Sequence, residues 1–108
     1  METTGHQMSQ RHVLVSYDIS DEKRVKKVQK VVSDVADRVQ YSVYCGQFGR
    51  KDLVILKDRL RKVMNQDQDQ VLFLDLGAVH GQDDQAADLG IEHLGRPWTP
   101  RERSLLIF

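Results

Sequence analysis

Asp18 closes a short run of strand-forming residues, His12-Val-Leu-Val-Ser-Tyr-Asp18, directly ahead of a helix-start signal at Ser20-Asp21-Glu22. Loops at strand ends are common positions for binding and catalytic groups. A carboxylate there offers the hard oxygen donors that Mg²⁺ takes while keeping several waters. One carboxylate alone makes a poor site, but a two-fold axis nearby would bring two copies of Asp18 onto one shared ion. A carboxylate in this position also caps or flanks a helix N-terminus, and local sequence leaves both uses open. Arg24, Lys27 and Arg38 are the basic residues near this helix start and the strand that follows. They could contact phosphates, which give affinity and salt dependence without reading sequence. A solvated helix face carries lysines of the same kind. Tyr17, Tyr41, Tyr44 and Phe48 offer rings that could stack on bases, although alternating strand aromatics also build cores and interfaces.

Other chemistries find little footing. His6, His12, His80 and His93 show no metal-ligand spacing, and the single Cys45 offers no second thiol, so zinc is not expected. Gly77, Gly81 and Gly90 are too scattered for a phosphate-binding loop. No Ser has a nucleophile-elbow context. Cys45 lies in an apolar run and reads as a packed thiol. Asp83, Asp84 and Asp88 lack the alternating oxygens and closing Glu of a calcium loop, so that acidic stretch reads as a mobile loop.

The elements that must position these residues follow from periodicity. Residues 12–18 read as a strand. Val25, Val28, Val32 and Val35 recur at helical spacing, with Lys23, Lys26, Lys27 and Lys30 off the stripe, which predicts an amphipathic helix over residues 21–36. Residues 38–49 are rich in strand formers. They fit a hairpin broken near Tyr41 and Ser42, or one bent strand, with the hairpin favoured. Leu53, Leu56, Leu60 and Val63 mark a second helix over residues 50–65. Residues 65–70 form a polar turn, residues 71–76 a strand, and Ile91–Leu94 a short strand. The order matches an α+β, βαββαβ sandwich with both helices on one sheet face. The other face would be covered by dimerisation. Residues 1–11 read as a disordered leader, 12–97 as the domain, and 98–108 as a tail or added strand. The terminal Leu105-Leu-Ile-Phe108 would pair with a sheet edge or dock on a partner protein.

The chain has 108 residues, the length of one domain. Its formal net charge is zero, yet the distribution is uneven. Residues 11–64 carry 13 basic and seven acidic side chains, whereas residues 65–108 carry eight acids and three arginines. A basic body with an acidic C-terminal third suits an anionic partner for one face, or else mutual neutralisation of the two parts. No apolar stretch approaches the ~18 residues of a membrane-spanning helix. Met1 to Gln10 are polar and lack the apolar core of a secretory signal, and a lone Cys fits a reducing compartment, so a cytoplasmic location is expected.

Three blocks together carry a family resemblance. They are Val13-Leu-Val-Ser-Tyr-Asp-Ile-Ser-Asp21, then Lys23-Arg24 and Lys27-Val28, then Arg38-Val-Gln-Tyr-Ser-Val-Tyr44. This pattern resembles the CRISPR-associated protein 2 family, with a close match over residues 12–76 and a looser one over Ile91–Pro97. The resemblance implies a ferredoxin-like fold and a homodimer; the pattern of elements adds a C-terminal strand and contact through the sheet faces. It implies a role beside the CRISPR integrase (CRISPR-associated protein 1) in acquiring new spacers, with the dimer holding duplex DNA. It also implies a metal-dependent endonuclease activity on RNA or DNA found in some members. On this pattern Asp18 would bind a Mg²⁺ shared between two subunits, with Mn²⁺ as an alternative ion. Tyr17, Arg38 and Tyr44 match positions tied to activity, and Arg24 and Lys27 match the helix-start basic residues. The family often has a second basic residue directly after the position of Arg24, where this chain has Val25, a departure that counts against cleavage. A toxin-like mRNA interferase resembling virulence-associated protein D, of the same fold, is the alternative reading.

Overall fold

The computed structural model describes residues 10–79 and 90–98. Strand β1 (Arg11–Asp18) leads into helix α1 (Glu22–Ser33), followed by the hairpin strands β2 (Asp37–Gln40) and β3 (Val43–Phe48). Helix α2 (Arg50–Val63) comes next, then β4 (Gln70–Ala78) and β5 (Ile91–Gly95). All pairings are antiparallel and the sheet order is β2-β3-β1-β4-β5. This is the expected α+β sandwich with one strand added on the β4 edge.

Alternation in the strands decides which residues meet the helices. Val13, Val15 and Tyr17 of β1 are buried, as are Tyr44 and Phe48 of β3, Val71 and Phe73 of β4, and Leu94 of β5. They pack against Val28, Val31 and Val32 of α1 and Leu56 and Leu60 of α2. Residues between them on the strands point to the opposite face. That face carries Leu14, Ser16 and Asp18 of β1, Val43 and Cys45 of β3, and Leu72 and Leu74 of β4. Among the described residues no helix covers it, so its leucines and valine stay half-buried.

Three boundaries differ from the sequence reading. Arg11 belongs to β1 rather than to a leader, and its guanidinium meets the Asp75 carboxylate of β4 at 2.9 Å. Helix α1 ends at Ser33, so Val35 falls off the stripe and is 43% exposed. The chain turns there to enter β2, with the Val35 and Ala36 amides both donating to the Val32 carbonyl. Strand β4 continues to Ala78, into the acidic stretch 77–90 that the sequence suggests as a loop. The expected hairpin forms, with its turn at Tyr41 and Ser42. The rest of the acidic loop and the tail beyond Trp98 lie outside the described residues, as does the leader up to residue 9.

Candidate functional site

Asp18 is the last residue of β1 and lies on the uncovered sheet face, with its side chain 75% exposed. Its neighbours across the sheet are Gln70 on β4 and, beyond it, Gly95 on β5. The next residue, Arg96, reaches back along this row. Its Nη2 donates to Asp18 Oδ2 at 2.9 Å, while its Nε donates to the Gln68 carbonyl at 2.9 Å. Its backbone amide donates to the Asp69 carbonyl at 2.8 Å. Gly95 permits this turn. It has φ +82°, and an added Cβ would lie 2.1 Å from the Asp69 carbonyl oxygen. Gln70 completes the arrangement by donating to the Arg96 and Pro97 carbonyls.

A second carboxylate, Asp69, lies at the base of the same corner. It is fully buried and carries a dense set of donors. Arg24 Nε donates to Oδ2 at 2.7 Å and Arg24 Nη2 to Oδ1 at 3.1 Å. The Asn65 amide donates to Oδ2 at 2.8 Å and the Ser20 amide to Oδ1 at 3.2 Å. Burial by itself would raise this acid. The hydrogen bonds from Arg24, Asn65 and Ser20 outweigh that and hold it down at about 2. Asp69 thereby joins the entry to α1 to the loop leaving α2. The N-cap of α1 is Asp21, whose carboxylate accepts from the Arg24 amide at 3.0 Å. Asp18 therefore does not cap the helix.

The remaining sequence candidates divide by burial. Tyr17 and Tyr44 are buried on the helix side, with ring centroids 6.1 Å apart and planes at 24°. Arg38 lies on the edge strand β2, 5.7 Å from the Tyr44 centroid and 6.0 Å from that of Tyr41. Burial, and then the hydrogen bond with Tyr44, push the Tyr17 hydroxyl up to about 12. Burial opposes ionisation of Tyr44 too, but hydrogen bonds with Arg38, Gln29 and Tyr17 outweigh it and lower that group. Tyr17, Arg38 and Tyr44 thus form one cluster, and Asp18 stands on the other face of the sheet. Phe48 is also core, which leaves Tyr41, 78% exposed, as the one ring of the four available for stacking. Arg24 is committed to Asp69, Ser20 and Gln68. Lys27 is exposed on α1 together with Lys23, Lys26 and Lys30. Cys45 is a half-buried free thiol on the uncovered face rather than a packed core group.

Arg96 and Asp69 were not legible as site residues. The available signals were weak: Arg96 is the first Lys or Arg after Lys62, and Asp69 immediately precedes a strand. Among the described residues no group of three or more His, Cys, Asp or Glu could hold a metal ion. Asp18 has the hard oxygen donors that Mg²⁺ takes, and among the described residues no second carboxylate joins it in such a group.

This is a small α+β scaffold with an exposed carboxylate on an uncovered sheet face and a lysine-rich helix layer. Residues 11–82 match the family described as CRISPR associated protein Cas2. The chain belongs to the CRISPR-associated protein Cas2 family. A Rhodospirillum rubrum relative named CRISPR-associated endoribonuclease Cas2 1 is 31% identical over 94 residues, covering 87% of each chain. One from Methanosarcina acetivorans, named CRISPR-associated endoribonuclease Cas2, is 30% identical over 86 residues, covering 80% of this chain and 90% of its own. The crystal structure of Streptococcus pyogenes Cas2 at pH 6.5 superposes with a TM-score of 0.57 at 34% identity, over 61% of this chain and 86% of that one. A crystal structure titled cas2 superposes with a TM-score of 0.59 at 28% identity, over 90% of this chain and all of that one. No helix among the described residues is long and apolar enough to cross a membrane.

Proposed function

We propose that the protein acts as a homodimer in the acquisition of new spacers, holding duplex DNA and bridging dimers of the CRISPR integrase, CRISPR-associated protein 1. One observation carries this reading: the two layers present unlike surfaces. Lys23, Lys26, Lys27 and Lys30 stand exposed along α1, a row suited to the phosphates of a duplex. Leu14, Val43, Leu72 and Leu74 line the uncovered sheet face, a surface suited to a second copy. The separation of Asp18 from Tyr17, Arg38 and Tyr44 supports placing the DNA role above catalysis, because among the described residues of one chain no nucleophile, base and charge-stabilising set converges. Anisotropy of a labelled duplex with the full chain tests it. Binding is expected to fall by orders of magnitude between about 50 and 200 mM salt. The Lys23→Glu/Lys27→Glu variant should bind at least about tenfold more weakly at fixed salt. A variant that binds like the parent refutes the proposed DNA face.

A second reading is a Mg²⁺-dependent endonuclease acting on RNA or DNA. The exposure of Asp18 favours it, as do the endoribonuclease names of the relatives. Asp18 from each of two chains would hold the ion, and the chemistry supplied by such an ion is stabilisation of charge on phosphoryl oxygens. In this chain Asp18 presents its carboxylate at the rim of the proposed dimer face.

A further inference from the structure

The Asp18 carboxylate already has a cation. Arg96 Nη2 lies 2.9 Å from Oδ2, and among the described residues no other residue donates to that carboxylate. The contact is built into the fold. The Arg96 amide is tied to the Asp69 carbonyl, its Nε to the Gln68 carbonyl, and its carbonyl accepts from the Gln70 side chain. A residue other than Gly at position 95 would strike Asp69, so the turn that delivers Arg96 depends on that glycine. Asp69 is itself held by Arg24, Asn65 and Ser20. The guanidinium is therefore aimed from a rigid corner at an otherwise exposed acid, unlike a pair of two mobile surface side chains.

We infer that Arg96 is a working member of the Asp18 site, a resident cation that occupies the carboxylate until a divalent ion displaces it, and so sets the ion's affinity. This rests on the reading of Asp18 as a metal ligand. A guanidinium and a divalent cation cannot share one carboxylate without mutual repulsion. Displacement turns the guanidinium away from Asp18, while the Arg96 backbone stays tied to the Asp69 carbonyl and the Gln70 side chain.

Mn²⁺ binding to the full chain, read from the free-ion electron paramagnetic resonance signal, tests the inference without reference to cleavage. Arg96→Gln is expected to tighten Mn²⁺ binding by at least about fivefold, the scale of removing one unit charge beside a divalent ion in water at physiological salt, since an ion shared by two chains faces two copies of Arg96. Arg96→Lys keeps the charge and should stay near the parent. The gain should vanish in the Arg96→Gln/Asp18→Asn double variant. If Arg96→Gln binds no more tightly while Asp18→Asn still loses binding, Arg96 has no such role and the metal reading stands. If Asp18→Asn binds Mn²⁺ like the parent, the metal reading falls and the inference with it. A nuclear magnetic resonance titration of the unmutated chain with Mg²⁺ guards against misfolded variants. The Asp18 carboxyl and Arg96 guanidinium signals should move with one midpoint, and an unmoved Arg96 signal beside a shifting Asp18 overturns the inference.

Discussion

Two carboxylate–arginine pairs lie at the same corner of the molecule, and they differ in almost everything but chemistry. Asp69 is fully buried, takes both a nitrogen pair from Arg24 and two backbone amides, and joins the entry to α1 to the loop leaving α2. Asp18 is largely exposed and is held by Arg96 at one oxygen. A buried charge is tolerable only when its donors are complete, and once complete it cannot be removed without leaving them orphaned. An exposed pair contributes little to stability, so its partner can be exchanged. The contrast teaches that the first acid serves the fold and the second is free to serve a ligand.

The largest break in this comparison is Asp69→Ala, which leaves Arg24 Nε and the Ser20 and Asn65 backbone amides without their acceptor. It should lower the unfolding free energy by about 3 kcal/mol, measured by urea denaturation at neutral pH. A loss below 1 kcal/mol would mean that the junction is not held by this acid.

Acid titration gives a smaller effect with a defined direction. The Asp69 carboxyl sits at about 2 in the folded chain, below the ordinary 3.8. Its contribution is present above the unfolded value and is lost as pH falls through the folded one. Stability should therefore decline between about pH 4 and pH 2 by roughly 1–2 kcal/mol from this group, with solvent screening allowed for. The parent-minus-Asp69→Asn difference in denaturation midpoint, followed across that window, isolates it. A difference that does not shrink toward pH 2 contradicts the assignment.

Smallest is Asp18→Ala, which should change stability by no more than about 0.5 kcal/mol. The same denaturation series checks this. A loss matching that of Asp69→Ala would erase the distinction between the two acids and return Asp18 to a structural role.

Much of the architecture is readable in the sequence. The apolar stripes at Val25, Val28 and Val32 and at Leu53, Leu56 and Leu60 defined two helices, because a helix must bury one face. Alternation in residues 12–18 defined β1, and the weak point at Tyr41 and Ser42 located the hairpin turn. The match to the Cas2 family was also legible, since it rests on residue types at fixed spacing. Val35 continues the stripe in sequence yet lies beyond the helix end at Ser33, because a periodic stripe does not announce where a helix ends.

The site was legible only as a list. Sequence named Asp18, Tyr17, Arg38 and Tyr44 together, but adjacent strand residues face opposite ways, so the sheet divides Asp18 from the other three. Arg24, read from sequence as a phosphate contact, is the counterion of Asp69, a pairing invisible in sequence because 45 residues separate partners that meet only after α2 turns back. Arg96 lies 78 residues from Asp18, and nothing local to either predicts their contact. By itself the sequence determined the elements, the family and the existence of a candidate acid, all of which depend on short-range pattern. Tertiary structure alone decided which acid is locked and which is exposed, because burial and counterion choice are set by the strand pairing that brings distant residues together.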